Sequence, residues 1–230
     1  YRLNLLGVME KPARREALLA MLVQIDQLRP RQVERVTEES LSVEEVKAGL
    51  TQGQVELFFQ PKVAVSGRRM VGVECLARWR HPERGVLGPH TFIGVAEQHG
   101  LIDELTLVLL RCAVSHLAEW QRRGHGCKIA INLSADNLNR LDLPEIFHKI
   151  VQDGGVDSKQ IVLEITEGGL MKDFHLSLDI LTRLRLKGFS LSVDDFGTGY
   201  SNMEKLKQLP FSELKVDRTF VSGAAEDPVA

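Results

Sequence analysis

The sequence has few cysteines, and they are not spaced for cross-linking or for zinc binding. Three cysteines occur among 230 residues, and no two of them form a C-x-x-C pair. Disulfide-stabilised domains and structural zinc sites both need more cysteines at closer spacing. The number and spacing of the cysteines therefore argue against a disulfide-stabilised domain and against a structural zinc site. They predict a protein of the reducing cytoplasm.

Long hydrophobic runs and an excess of charge of one sign are also missing. No apolar stretch approaches the roughly 18 residues that a membrane helix requires, and no signal peptide is recognisable. The 29 Lys and Arg residues nearly balance the 31 Asp and Glu residues, which leaves a net charge of -2. Because a nucleic-acid backbone is held chiefly by positive charge, we expect neither a membrane nor duplex nucleic acid as a partner.

The composition that is present is typical of a globular protein with a sizeable core. Hydrophobic residues make up 43% of the chain and charged residues 26%. From Val55 onward, short apolar segments alternate with amphipathic ones, a pattern typical of βαβ units around a parallel sheet. The predicted strands span residues 57–65, 70–79, 128–134, 161–166, 190–195 and 212–217. The sequence therefore predicts an α/β fold.

Five of these six strands carry a polar residue at or near their ends. These residues are Glu74, Asn132, Glu164, Asp194 with Asp195, and Lys215. Side chains alternate between the two faces of a strand, so Asn132 shares a face with Ala130, and Glu164 shares one with Thr166. Their bulky neighbours take the opposite face, which suits packing against helices. In a barrel of parallel strands, polar groups near the carboxyl ends of the strands meet at the mouth that carries the chemistry.

Carboxylates that meet at such a mouth need a positive partner, because like charges in a poorly solvated site repel or become protonated. One interpretation is a set of ion pairs with Lys215 and Arg78. The favoured interpretation is a hard divalent cation, since Mg²⁺ and Mn²⁺ bind carboxylate and amide oxygens. The adjacent Asp194 and Asp195 can bridge two such ions. A paired-metal site suits hydrolysis of a phosphodiester.

Six short motifs in this order resemble the successive signatures of the EAL domain. They are FQP at 59–61, ECLARW at 74–79, NLS at 132–134, EITE at 164–167, DDFGTGYS at 194–201 and KVD at 215–217. The resemblance implies a TIM-like (β/α)8 barrel that linearises cyclic di-GMP to pGpG with two Mg²⁺ or Mn²⁺ ions. One alternative is an inactive EAL domain that serves as a cyclic di-GMP receptor or interaction module. An unrelated metal-dependent barrel enzyme, such as a lyase, is another.

The resemblance also implies a role for each matching residue. The implied metal ligands are Glu74, Asn132, Glu164 and Asp194, with Asp194 bridging to a second ion bound by Asp195. The implied catalytic residues are Lys215, Glu74 and Asp194. In a cavity that also holds metal charge, a lowered pKa would let Lys215 orient or deprotonate the attacking water. The implied nucleotide contacts are Gln60, Leu76, Arg78 and Asp217. Glu167 would anchor the loop 196–201, which is expected to cover the metals and contribute to a homodimer interface.

The chain departs from the EAL pattern at two places. Cys75 stands where the family has alanine; because the residue points toward the helix layer, we expect a small buried thiol to be tolerated. The later family signatures Glu-Gly-Val-Glu and Gln-Gly do not occur. We therefore expect residues 46–230 to be an EAL domain that lacks its last two strands and one catalytic carboxylate. Little turnover is expected of these residues alone.

The segment that precedes the EAL motifs resembles part of another domain. Residues 1–28 are similar to the last strand and helix of a response-regulator receiver domain, with Lys11 and Pro12 closing the strand. Residues 29–45 are predicted to be a linker that leads into a helix. The chain is thus interpreted as a piece of a longer protein, controlled by a receiver domain and its histidine kinase.

Overall fold

A computed structural model describes residues 41–66, 69–166, 170, 173–196 and 207–217. These residues form an α/β fold with seven strands and five α-helices. The strands are β1 (Val55–Val63), β2 (Met70–His81), β3 (Gly85–Leu87), β4 (Lys128–Asn132), β5 (Ile161–Thr166), β6 (Ser190–Phe196) and β7 (Glu213–Val216). The helices are α1 (Val43–Thr51), α2 (Pro89–Gln98), α3 (Ile102–Arg122), α4 (Leu143–Asp153) and α5 (Phe174–Leu186). Within these residues, no helix combines the length and the hydrophobicity that crossing a bilayer would require.

The strands form one sheet in the order β1-β2-β4-β5-β6-β7, with β3 paired to β2. From β2 to β7, each strand in this order lies parallel to the next. Parallel neighbours need long crossover connections. The helices α2 and α3 lie between β2 and β4 in the sequence, α4 lies between β4 and β5, and α5 lies between β5 and β6. The predicted α/β class is therefore confirmed.

The first strand pair differs from the prediction of a parallel sheet. Strand β1 runs antiparallel to β2, with Gln60 opposite Glu74. Only residues 64–69 connect the two strands, whereas a parallel crossover needs on the order of a dozen residues or more. A second antiparallel pair joins β2 to the short β3, which the sequence patterns did not indicate.

Side chains of the parallel strands point alternately to the two faces of the sheet, as the sequence predicted. Ile129 and Ile131 of β4 and Leu163 and Ile165 of β5 are almost completely buried in the hydrophobic core. The core also contains buried residues of all five helices. The intervening residues face the other way, and Asn132 pairs in register with Glu164 on the neighbouring strand.

Helix α1, the first helix among the described residues, packs against the indole of Trp79. Ser42 caps α1 through a reciprocal pair of hydrogen bonds with Glu45. Trp79 is 1% exposed, and its Nε1 donates a hydrogen bond to Gln54 Oε1 at 3.0 Å. A Cβ atom on Gly49 would lie 2.6 Å from Trp79 Cζ2, so the close approach of helix and ring requires glycine there.

We expect the substitutions Gly49→Ala and Gly94→Ala to change stability in opposite directions. At Gly49 the new methyl group would collide with a fully buried ring, which typically costs about 1–3 kcal/mol. Gly94 lies within α2, and a Cβ there would meet nothing within 4 Å. Alanine at that position should stabilise the protein by about 0.5–1 kcal/mol through helix propensity. Urea denaturation measures both effects; equal stabilisation by the two substitutions would contradict the described packing of α1.

Candidate active site

Three carboxylates from three strands lie within reach of a single ion. Glu74 on β2, Glu164 on β5 and Asp194 on β6 each offer one oxygen, and these oxygens all lie within 4.8 Å of one another. The Glu164 side chain is fully buried, whereas those of Glu74 and Asp194 are partly exposed. The structure thus brings together three of the residues that the strand-end pattern identified. We call this group the carboxylate cluster.

Lys215 on β7 contacts every member of the carboxylate cluster. Its Nζ atom lies 3.1 Å from Glu74 Oε2, 2.7 Å from Glu164 Oε2 and 3.0 Å from Asp194 Oδ2. A single ammonium group therefore lies between the three carboxylates and offsets part of their mutual repulsion. These contacts match the ion-pair interpretation of the sequence for Lys215.

The pKa values of Lys215 and Glu164 both lie above the ordinary values of these groups. Burial disfavours the charged form of Lys215, but hydrogen bonds and attraction from Glu164 and Asp194 outweigh it and raise the pKa of the lysine. The lowered pKa expected of Lys215 refers to a site that also holds metal charge, so it stays a prediction. Burial raises the pKa of Glu164, and Lys215 and Lys62 oppose that rise.

A second lysine, which the sequence reasoning missed, reaches the same carboxylate cluster. Lys62 Nζ on β1 lies 3.1 Å from Glu164 Oε1 and 2.5 Å from Glu213 Oε1. Burial disfavours the charged form of Lys62, yet its bonds to Glu213 and Glu164 raise its pKa overall. Lys62 follows Gln60 by two positions and so shares its face of β1. The same alternation that identified the carboxylates could have found this lysine.

The predicted nucleotide-binding residues of β1 and β2 lie on the same face as the carboxylate cluster. Gln60 stands directly opposite Glu74 in the antiparallel pair. Arg78 donates a hydrogen bond from Nη1 to its neighbour's carbonyl oxygen at 2.8 Å, and its guanidinium carbon lies 5.6 Å from the centroid of the Phe58 ring. Leu76 lies between Glu74 and Arg78 on this face and lines the cavity described below.

Asp195 and Asp217 lie near the carboxylate cluster but are not part of it. Asp195 has a positive φ of 52°, and its N–H donates to Asp194 Oδ1 at 2.9 Å. Burial raises the pKa of Asp195, and repulsion from Asp194 and Asp217 adds to the rise. Asp194 and Asp217 thus lie close enough to Asp195 to disfavour its charged form. Glu167 and residues 197–201 lie outside the described residues.

A cavity of about 630 Å³ adjoins the carboxylate cluster. Most of its lining is apolar and comes from β2, β4, α2 and α3, and its polar lining includes Asn132, Glu164 and Thr166. Ser134 Oγ donates a hydrogen bond to Glu97 Oε1 at 2.7 Å, and both residues also line the cavity. Its volume lies within the range of small-molecule sites, and apolar walls with a few placed polar groups are typical of them.

A family model described as "EAL domain" matches residues 43–230. The chain belongs to the EAL domain family. The match includes every member of the carboxylate cluster as well as Lys62 and Lys215. The structure of this EAL domain superimposes with a TM-score of 0.75 on a solved structure titled "PaMucR Phosphodiesterase, c-di-GMP complex". That structure is 38% identical, and the match covers 80% of this chain and 75% of the other. The fold is accordingly the TIM-like EAL fold.

Two curated relatives of this EAL domain come from Pseudomonas aeruginosa. The cyclic di-GMP phosphodiesterase RocR is 37% identical over 229 residues, which cover 98% of this chain and 58% of RocR. The cyclic di-GMP phosphodiesterase NbdA is 41% identical over 188 residues, which cover 81% of this chain and 24% of NbdA. The chain thus spans little more than half the length of RocR and about a quarter of NbdA. The alignment with RocR also extends upstream of the EAL match.

We expect Cys75 of the EAL domain to be the least reactive thiol of the native protein. It is 4% exposed, and burial raises its pKa to about 12. Cys112 and Cys127 are only partly buried, although burial raises the pKa of each of them as well. Because the thiolate is the nucleophile, iodoacetamide at neutral pH should label Cys75 on the order of tenfold or more slowly than the other two. Mass spectrometry of native and urea-unfolded protein measures the three rates; equal native rates would contradict the described burial.

Proposed function

We propose that this EAL domain hydrolyses one phosphodiester bond of cyclic di-GMP to give linear pGpG with the help of divalent cations. The observation that carries the proposal is the convergence of Glu74, Glu164 and Asp194 on one point beside a ligand-sized cavity. The family relationship supports it, because RocR and NbdA are both named cyclic di-GMP phosphodiesterases. The solved MucR phosphodiesterase structure is a complex with c-di-GMP.

The donor set of the carboxylate cluster fits Mg²⁺ or Mn²⁺. All its donors are carboxylate oxygens, which hard divalent cations prefer. We propose that Glu74, Asn132, Glu164 and Asp194 hold one ion, and that Asp194 and Asp195 hold a second. When bound, such ions supply a hydroxide-like nucleophile and stabilise the leaving oxygen.

Lys215 is proposed to hold or move the proton of the attacking water at its Nζ atom. The ammonium group and a divalent cation would occupy overlapping positions, because Lys215 contacts all three cluster carboxylates. Positive charge bound there opposes the protonated form of a neighbouring lysine. The raised pKa of Lys215 would thus fall toward the range in which a lysine can exchange protons with a water molecule.

Four further residues are proposed to bind the nucleotide. Arg78 is held by its contacts to Phe58 and the Ala77 carbonyl oxygen, and its planar guanidinium is suited to a phosphate. Gln60, Leu76 and Asp217 are proposed to contact the rest of the substrate.

The direct test is to incubate the full-length protein with cyclic di-GMP and Mn²⁺ and to measure pGpG by chromatography. The proposal expects pGpG that disappears when the cation is chelated. The alternative of a receptor without activity expects binding of cyclic di-GMP but no pGpG. Glu74→Ala separates the two, because it should abolish turnover in an enzyme and leave binding intact in a receptor. Folded wild-type protein that binds cyclic di-GMP without cutting it would overturn the proposal.

We also propose that the domain is controlled by an upstream receiver domain, by the histidine kinase of that receiver and by homodimerisation. The alignment with RocR covers 98% of this chain and therefore includes most of residues 1–28.

A cytoplasmic location is likewise proposed, since all three cysteines are free. Glu167 is proposed to anchor the loop 196–201. Light scattering of the full-length protein with and without a phosphodonor tests whether the oligomer and its regulation exist.

A further inference from the structure

Lys62 extends from β1 to the interior face of the sheet that carries the carboxylate cluster. It stands opposite Gly72 of β2. A Cβ atom on Gly72 would lie 2.8 Å from the Lys128 carbonyl oxygen, so that position accepts no side chain. The Lys62 side chain is 27% exposed, which means that most of its length is removed from water.

The two oxygens of Glu164 each have a lysine of their own. Lys62 Nζ lies 3.1 Å from Oε1, and Lys215 Nζ lies 2.7 Å from Oε2. Oε2 is the oxygen that faces the other carboxylates, because the same Lys215 contacts Glu74 and Asp194. Rotation of the Glu164 carboxylate would break the bond to Lys62. A buried carboxylate that loses such a partner pays a large penalty.

We propose that Lys62 is a positioning residue that acts through Glu164. It binds Oε1 from the β1 side and so keeps Oε2 directed at the point where the carboxylate cluster converges. This inference rests on the proposed metal centre, because its purpose is to present a pre-oriented oxygen to a divalent cation. Partners that orient ligand side chains in this way commonly contribute about 10- to 100-fold to metal affinity or activity.

Lys62 has a second partner, which provides a matched control. Glu213 on β7 binds the same ammonium group at 2.5 Å, but its side chain is 39% exposed. This pair joins β1 to β7, and a purely structural role for Lys62 would depend on it. Glu213→Gln removes that charge and leaves the bond between Lys62 and Glu164 in place. The two roles can therefore be separated by substitution.

The test measures Mn²⁺ affinity of the full-length protein by titration calorimetry, together with kcat and KM for cyclic di-GMP. Lys62→Met and Lys62→Gln are expected to bind Mn²⁺ about tenfold more weakly and to lose kcat in proportion. KM should stay within about twofold, because Lys62 is not among the residues proposed to bind the nucleotide. Lys62→Arg should keep its Mn²⁺ affinity within about threefold of the wild type. Glu213→Gln should match the wild type.

Each result decides the proposal. Wild-type Mn²⁺ affinity in the two uncharged Lys62 variants overturns the positioning role alone. An equal loss of affinity in Glu213→Gln and Lys62→Met overturns it in favour of a link between strands. Absence of Mn²⁺ binding by the wild type overturns the metal centre and this inference with it. Should Lys62→Met fail to fold, Lys62→Gln and Lys62→Arg carry the same comparison, and a tenfold loss in the arginine variant contradicts the role.

Discussion

The Glu164→Gln variant is expected to lose both catalysis and stability, and to lose more stability than any other single substitution at the site. Glu164 is fully buried, and its two oxygens bind Lys62 and Lys215. A neutral amide would leave two ammonium groups without their shared anion, and breaking a buried ion pair typically costs about 3–5 kcal/mol. Loss of a metal ligand is expected to lower turnover about 10³-fold, which corresponds to about 4 kcal/mol.

Glu213→Gln is the matched control for this prediction. Glu213 binds Lys62 as Glu164 does, but its side chain is 39% exposed and it contacts no member of the carboxylate cluster in the described ion pairs. Exposed ion pairs contribute about 0–1 kcal/mol, so this variant should unfold close to the wild-type urea midpoint and retain turnover. Initial rates and urea denaturation measure both variants. Near-wild-type turnover in Glu164→Gln would contradict the assignment of the site.

The Lys215→Met variant is expected to lose turnover by about 10²- to 10⁴-fold, the usual contribution of a proton-transfer group. It should also lose stability in the absence of divalent cations, because three carboxylates would face one another without the ammonium group that contacts them all. Mn²⁺ at about 100 times its Kd should restore about 2.7 kcal/mol, since a ligand that binds only the folded state stabilises it by mass action.

Two comparisons make the Lys215 prediction specific. Lys215→Arg keeps the positive charge but is a poor proton acceptor, so it should retain stability without Mn²⁺ and still lose turnover. Lys62→Met keeps Lys215 in place and should lose much less turnover than Lys215→Met. Thermal unfolding with and without Mn²⁺ and initial rates give these readouts. Turnover in Lys215→Met within about tenfold of the wild type would remove Lys215 from the proton-transfer role.

The placement of the principal site residues followed from strand periodicity. Alternation put Glu74, Asn132 and Glu164 on the inner face, and the structure brings Glu74 and Glu164 together with Asp194. Such predictions succeed because the face to which a side chain points is a local property, which alternates from one residue of a strand to the next. The EAL motifs identified the family because each of them is a short local run of residues.

Two of the remaining features, the partners of Lys62 and the raised pKa of Lys215, depend on distances that no local pattern contains. Lys62 meets Glu164 and Glu213 across 102 and 151 positions of the chain, which requires β1 and β7 to approach each other. The raised pKa of Lys215 depends on the positions of three carboxylates relative to one nitrogen atom. The antiparallel direction of β1 was readable from its short connection to β2, although the repeating pattern of the later strands suggested a parallel sheet.

The central claim is that the carboxylate cluster holds a divalent cation where Lys215 Nζ now lies. The most direct test is a crystal structure of the full-length protein with Mn²⁺, with the ion located by its anomalous scattering. We expect a Mn²⁺ ion bound by Glu74, Glu164 and Asp194, with Lys215 no longer bonded to all three carboxylates. A peak elsewhere, or Lys215 still joined to all three carboxylates in protein saturated with Mn²⁺, would contradict the account.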